Sequence, residues 1–406
     1  MIKISAYGVA PRKQLDVGNY ACALLSAVRL VCEDFDALFE DYSIQLVYER
    51  NNMSIIEKKI FGTCDLGVVD MYTMTVDSGM SVSIITLGGA LVKLLAPNKE
   101  GKLADVIFGY DDLSSYLGGD GYHGALIGRT GNRIANGKYT LDGVDYQLYI
   151  NNGVNSLHGG EVGFSHKIWD AKAEVVEDGC VLDLTYVSPD GEENYPGTLT
   201  VNVRYKLSQD NALSIAYRAT TDKKTIVNMT NHVYFNLGGY ASGKVLDHVM
   251  WMDCDTFLPT DETLIPTGEF RPVAGTPFDF NTEKTIGKDF DLSYEPMAFA
   301  GGYDHCMNFR AVDDAWAEPR IKVRDPKANR EMVVYTDAPC VQFYSANFMK
   351  NPDYPFKGGY PQTPQNGFCL ETQKMPDSIN HPEFTDITLD VGEVYETTTV
   401  YKFLVD

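Results

Sequence analysis

The sequence contains no C-x-x-C pair: its eight cysteines, at 22, 32, 64, 180, 254, 306, 340 and 369, are scattered over 406 residues. The chain therefore has neither the ligand spacing of a structural zinc site nor the framework of a small disulfide scaffold. Free, mostly buried thiols in a reducing cytosol are expected, and the chain reads as cytoplasmic. Long apolar runs are also missing. The best candidate, "YACALLSAVRLVC" (20–32), is interrupted by Arg29 and has no small-x-small cleavage site behind it. It is too short to span a bilayer and a poor signal peptide. Positive charge is scarce, with 34 Lys+Arg against 56 Asp+Glu and a net charge of −22. Such a surface repels phosphate backbones and anionic lipid, which argues against nucleic acid and membranes as partners. A neutral ligand is indifferent to it. There is no G-x-S-x-G elbow for a serine hydrolase. The lone G-x-x-G at 128–131 has neither the Lys-Ser/Thr ending of a phosphate loop nor a helix behind it.

What is present is alternation broken by turns. "TLTVNVRYKL" (198–207) sets Leu199, Val201, Val203, Tyr205 and Leu207 on one face, and "ALSIAYRA" (212–219) does the same with Leu213, Ile215 and Tyr217. The intervening "SQDN" makes this a hairpin with a four-residue connection. Asp-Gly pairs at 142–143, 178–179 and 190–191 mark further reversals. Beyond residue 53 no long helical period is sustained and no fixed-period repeat appears, so a large antiparallel all-β sandwich is expected rather than an α/β wind or a propeller. Residues 1–52 differ. "NYACALLSAVRLVCEDFDALFEDY" (19–42) has apolar residues at helical spacings. This segment holds five Lys/Arg and seven Asp/Glu, net −2, which leaves −20 for the rest. Two domains follow: 1–52, an N-terminal extension that is either a helical appendage or a start-site artefact, and 53–406, the β domain.

Polar residues in apolar or glycine-rich company mark four candidate stretches. "GALIGRTGNRIANGKYTLDG" (124–143) carries Arg129 and Arg133, with glycines before and between them. "NNGVNSLHGGEVGFSHKIWD" (151–170) carries His158, followed by two glycines that let backbone approach a ligand closely. "GGYDHCMNF" (301–309) carries Asp304, and "GFCLETQKMPDSINHPEF" (367–384) carries Glu371 at the end of an apolar strand. To these "TNHVYFNLGG" (230–239) adds His232 within what reads as a half-buried strand. Imidazole both gives and takes a proton near neutral pH, and a buried carboxylate is tuned by its surroundings. A His/Glu proton-transfer site acting on a neutral polyol is the most economical chemistry. His158, His232 and a carboxylate could also hold a metal, although no spacing demands one.

"GRTGNRIANGKYTLDG", "NNGVNSLHGG", "NHVYFNLGG", "YDH" and "GFCLETQKMPDSINHPEF" resemble, in order and spacing, the signature blocks of the galactose mutarotase (aldose 1-epimerase) family. The resemblance runs from about residue 57 to the end; residues 1–52 have no counterpart in it. It implies a supersandwich with a monosaccharide in a cleft on one sheet, and interconversion of the α and β anomers of free aldohexoses. On this resemblance Glu371 is the catalytic base and His232 the general acid. His158, Arg133, Asp304, Asn132 and Gln342 (in "CVQFYSANF") bind the sugar. No cofactor and no metal are implied, and a monomer or homodimer is expected. The glutamate must be ionised while the histidine is protonated, so their pKa values are expected in that order. Gly131 departs from the pattern, which has alanine there. Alternatives are a hexose-6-phosphate 1-epimerase, which would need more basic residues in its cleft, a non-catalytic sugar-binding module of the same fold, and a glycosidase built on Asp304 and Glu371.

Overall fold

The computed structural model describes residues 2–4, 15–17 and 54–405. The chain divides into two compact units, Met1–Met53 and Ser54–Asp406. In the first, Ile2–Ile4 pairs antiparallel with Leu15–Val17. The helical spacing at 19–42 lies outside the described residues.

The second unit is built from antiparallel strands because its sequence alternates. Along Leu199–Ser208, every second residue from Leu199 to Leu207 is buried while Asn202 and Arg204 are exposed. That strand pairs with Ala212–Thr221, register Ser208↔Ala212, so the hairpin loop is three residues, Gln209–Asn211. The connection is one residue shorter than the turn signal suggested, because Asn211 adopts a left-handed φ of +61° and lets Ser208 stay in the ladder. Asp142 and Gly143, both left-handed, close the two-residue hairpin between Lys138–Leu141 and Val144–Gln147. The helices of this unit among the described residues are short, Leu113–Gly118 and Glu295–Ala300 apart from single 3-10 turns.

Three sheets make the body. A nine-stranded sheet runs from Asp170–Val176 at one edge to Lys284–Thr285 at the other, with the C-terminal strand Tyr395–Phe403 in its middle. A five-stranded sheet spans Ile55–Cys64 to Leu103–Asp105. A six-stranded sheet is ordered Tyr234–Phe235, Phe368–Gln373, Cys340–Tyr344, Asp304–Phe309, Cys254–Phe257 and Arg271–Pro272. One apolar cluster draws on all three, with Val82 and Leu94, Val203 and Tyr401, and Phe343 and Leu370 among its members. Tyrosine hydroxyls stitch the layers: Tyr401 Oη donates to Leu370 O at 3.1 Å and Tyr205 Oη to Gly89 O at 2.8 Å. The described cysteines are free, and all but Cys64 are buried. No helix among the described residues is long and apolar enough to cross a membrane.

The six-stranded sheet positions the chemistry through its period of two. On Phe368–Gln373, Phe368 and Leu370 enter the core, so Cys369 and Glu371 face the other way. On Cys340–Tyr344, Val341 and Phe343 enter the core, which turns Gln342 and Tyr344 outward. The register sets Gln342 opposite Glu371 and Tyr344 opposite both Cys369 and Asp304. Two rungs of polar and aromatic side chains thus line up across the outer face.

Candidate active site

That outer face forms the floor of a cleft of about 670 Å³, the size class of small-molecule sites. Asn132, Arg133, His158, His232, Asp304 and Glu371 all line it. Gln342 does not: it is buried beside Asp304 and donates from Nε2 to Asp304 Oδ1 at 2.8 Å.

His232 occupies a break between two short strands. Thr230–Asn231 pairs with Leu126–Ile127, and Tyr234–Phe235 pairs with Phe368–Gln373. The segment crosses from one sheet to another and is covered on both sides, so it is fully buried where sequence alone suggested a half-buried strand. Its amide donates to Ala125 O and its carbonyl accepts from Gly124 N, each at 2.9 Å. The imidazole Nε2 lies 3.5 Å from Glu371 Oε1, and Nδ1 lies 3.6 Å from Cys369 Sγ. Tyr234 packs at 4.9 Å between ring centroids.

His158 reaches the cleft on a turn locked to Asn132. The two residues are both left-handed, at φ +52° and +58°. His158 N donates to Asn132 O at 3.0 Å, and Asn132 N donates to His158 Nδ1 at 3.2 Å. Because Nδ1 accepts, the neutral ring carries its hydrogen on Nε2 and offers a donor there. The two glycines behind His158 serve the protein's own packing rather than a ligand. A Cβ on Gly159 would meet Gly128 O at 1.8 Å, and one on Gly160 would meet Glu193 Oε2 at 2.3 Å. Arg133 is fixed by Nε donating to Asn152 Oδ1 at 3.0 Å. Its neighbour in the motif, Arg129, turns inward and binds the carbonyls of Ser188, Pro189 and Pro196.

Burial dominates the electrostatics. Desolvation holds His232 down to about 4 and His158 well below the usual histidine range, the latter helped by the charges of His232 and Arg133. Desolvation, then the Asp304 charge, raises Glu371 well above the usual carboxylate range, against the pull of Arg133. Asp304 is raised by desolvation and eased by Arg133 and Gln342. The two shifts thus run against the order expected from sequence. The reason is physical: burial penalises imidazolium and carboxylate alike, lowering the one group and raising the other.

The ligand atoms of His158, His232 and Glu371 lie within 4.8 Å of one another, close enough to share an ion. The chemistry of His158 does not fit that use. A metal-bound imidazole donates its second N–H to an acceptor, whereas His158 Nδ1 faces a backbone donor.

Sequence reasoning passed over the aromatic walls, Tyr122, Tyr234 and Tyr344, and the rim formed by Glu262 and Leu264. Tyr234 and Tyr344 were reachable by alternation, two residues beyond His232 and Gln342. Tyr122, in a glycine-rich loop, carried no such signal.

Fold and cleft together define a galactose mutarotase-like β-sandwich with a polar cleft of small-molecule size. Residues 70–402 match the aldose 1-epimerase family, and the chain belongs to that family. The galactose mutarotase of Bos taurus is 41% identical over 359 residues, covering 87% of this chain and 100% of its own length. The aldose 1-epimerase of Escherichia coli K12 is 38% identical over 338 residues, covering 83% and 95%. Among solved structures, galactose 1-epimerase from Lactobacillus acidophilus aligns with a TM-score of 0.76 at 28% identity, covering 86% of this chain and 99% of that one.

The departure at Gly131 has a local reason. A Cβ there would lie 3.0 Å from Gln373 Oε1 and 3.1 Å from Thr230 Cγ2, so the glycine makes room for the side chain two residues beyond Glu371.

Proposed function

We propose that the chain interconverts the α and β anomers of free aldohexoses such as glucose and galactose, with Glu371 and His232 as the proton-transfer pair and the whole activity in residues 53–406. The observation that carries this reading is the 3.5 Å contact between Glu371 Oε1 and His232 Nε2, both buried in one cleft wall. Ring opening needs one proton removed from the anomeric hydroxyl and one delivered to the ring oxygen. Glu371 as carboxylate takes the first while His232 as imidazolium gives the second. The C1–O5 bond breaks as the C1=O1 bond forms, leaving a neutral Glu371, a neutral His232 and the open-chain aldehyde. Rotation about C1–C2 presents the other carbonyl face, and the transfers reverse.

The pair favours its neutral arrangement when buried, which is the arrangement reached with the open-chain sugar. The charged arrangement that opens the ring needs polar partners, and bound sugar hydroxyls add to those the cleft already holds, the Nε2–H of His158 and the guanidinium of Arg133. Positioned acid and base groups contribute about 10²–10⁴-fold each. Asp304, held by Gln342 Nε2, accepts from a sugar hydroxyl, and Asn132 offers its side-chain amide. Gln342 acts through Asp304 as a positioning residue.

The cleft disfavours a 6-phosphate. Asp120, Glu262 and Asp304 line it, while among the described lining residues Arg133 is the single arginine and no lysine appears. A phosphate dianion would meet that field with one partner. The side chains invoked all come from one chain, so a monomer suffices for the chemistry and a homodimer is compatible with it. Free thiols at the described cysteines support a cytoplasmic location.

Polarimetry of freshly dissolved α-galactose and α-glucose tests the reading. The protein should speed the approach to anomeric equilibrium and leave the 6-phosphates near their spontaneous rate. No acceleration with either free sugar at neutral pH contradicts it, and acceleration with the phosphates alone favours the phosphate-specific alternative.

A further inference from the structure

Tyr122 stands in the left-handed region at φ +54°, between Gly121 (φ +86°) and a turn ending in Gly124 (φ +71°). That backbone region is sterically poor for a bulky aromatic residue and persists only where the surroundings enforce it. Here they do. Ala125 N donates to Tyr122 O at 3.0 Å, closing the turn. The same turn then grips the segment that carries His232. Gly124 N donates to His232 O, His232 N donates to Ala125 O, and Asn231 Nδ2 donates to Gly124 O, each at 2.9 Å. Gly124 has no room for a side chain, since a Cβ would sit 2.1 Å from Leu91 O.

What the strained residue gains is the position of its ring. The Tyr122 ring stacks on His232 at 5.9 Å and 29° and meets His158 edge-on at 4.7 Å and 65°. The two imidazoles are themselves 5.2 Å apart at 79°. The three rings form a closed triangle. Tyr122 is half-buried and lines the cleft, so its face also shields the imidazoles from water.

We infer that Tyr122 is a positioning residue that holds both imidazoles at their working orientation and keeps water off His232. This rests on the mutarotase reading of the cleft. The hydroxyl is not required; the ring is. The other groups that face His232 are Glu371, His158, Cys369, Tyr234 and Tyr344, with His123 near enough to feel its charge. Replacing Tyr122 leaves the identity of each of these groups intact, so a shift in His232 titration reports the loss of the ring and of the orientation it imposes on His158.

The test compares Tyr122→Phe with Tyr122→Asn, since asparagine tolerates the left-handed backbone; Tyr122→Gly serves if the asparagine variant folds poorly. In polarimetry the phenylalanine variant should keep kcat within about threefold. The asparagine variant should lose about 10- to 100-fold in kcat with KM nearly unchanged, as expected for misplaced proton-transfer groups. Its acid limb should move up by about one pH unit as water reaches the imidazole. A rise in KM with kcat and the limb unmoved would make the ring a sugar platform and overturn the inference, as would no change at all. NMR titration of the His232 imidazole in the unliganded wild type and asparagine variant decides the matter without activity. An upward shift supports the role and an unmoved titration overturns it, even if the wild type proves inactive and the mutarotase reading falls.

Discussion

The strand Phe368–Gln373 and its neighbour Cys340–Tyr344 show two unlike faces. Inward, Phe368, Leu370, Val341 and Phe343 pack into the shared core, and the Leu370 carbonyl is taken by Tyr401. Outward, buried polar atoms lie without protein partners: Glu371 Oε2, Gln342 Oε1 and both side-chain polar atoms of Gln373. A buried polar atom left unpaired costs about 1–3 kcal/mol, so the cleft face is tolerated rather than favoured by folding. The core face holds the fold and the cleft face spends part of that stability on chemistry. Changing the two faces should therefore have opposite consequences.

The sharpest contrast lies between adjacent residues. Glu371→Gln should lower kcat by about 10²–10⁴-fold, the range for losing a positioned base, while thermal stability stays level or rises because a neutral amide replaces a buried carboxyl. Leu370→Ala should cost about 2–5 kcal/mol in denaturant unfolding, the usual range for such a cavity, with kcat per folded molecule largely kept. Loss of both properties in both variants would erase the distinction between faces.

Acid should expose the same contrast across the whole molecule. Burial lowers six histidines: His123 and His305 to about 3, His232 and His248 to about 4, His158 well below its usual value, and His166 below it. Their folded values lie below their unfolded ones, so the unfolded chain takes up more protons as pH falls below about 6.5. The stability they allow is complete above that pH and is lost on the way down. Glu371, Asp304 and Asp377 are raised and act in the opposite sense. At least two histidines remain unopposed, worth about 3 kcal/mol per pH unit between pH 6 and 4.5. Chemical unfolding at a series of pH values measures that slope. A flat profile would mean the histidines are hydrated.

Smaller effects follow at the edges of the cleft face. Asp304→Asn removes a charged acceptor and should raise KM by about 10- to 100-fold with kcat nearly kept, as for a charge-assisted hydrogen bond. Gly131→Ala should be the mildest change. Its Cβ asks Gln373 and Thr230 to yield by a few tenths of an ångström, for a loss of about 1 kcal/mol or less in a thermal melt.

Much of this architecture was legible in the sequence. Alternation in 198–219 identified both strands and their buried faces, and the Asp-Gly pair at 142–143 marked a true two-residue turn. The polar residues that interrupt apolar text at 132, 133, 158, 232, 304 and 371 converge on one cleft, although up to 239 positions separate them in the chain. Other features were not legible because they arise only from long-range packing. The crossover that buries His232 on both sides depends on which sheet each flanking dipeptide joins. Gly159 and Gly160 look like ligand-facing glycines until Gly128 O and Glu193 are placed against them. The opposed shifts of Glu371 and His232 are set by the depth of burial, which no local pattern encodes. Tyr122 reaches the imidazoles only through a loop whose glycines suggest nothing about an aromatic clamp.

The most direct test of the proton pair is the pH dependence of kcat/KM for galactose mutarotation by the wild-type protein, with the spontaneous rate subtracted. The pair works while it holds one proton. Activity should rise through an acid limb near pH 4, set by His232, hold a broad plateau, and fall only where Glu371 finally loses its proton, well above the usual carboxylate range. An acid limb at the ordinary histidine value near 6.5, or a rate with no alkaline fall, would contradict a buried Glu371–His232 pair as the seat of the reaction.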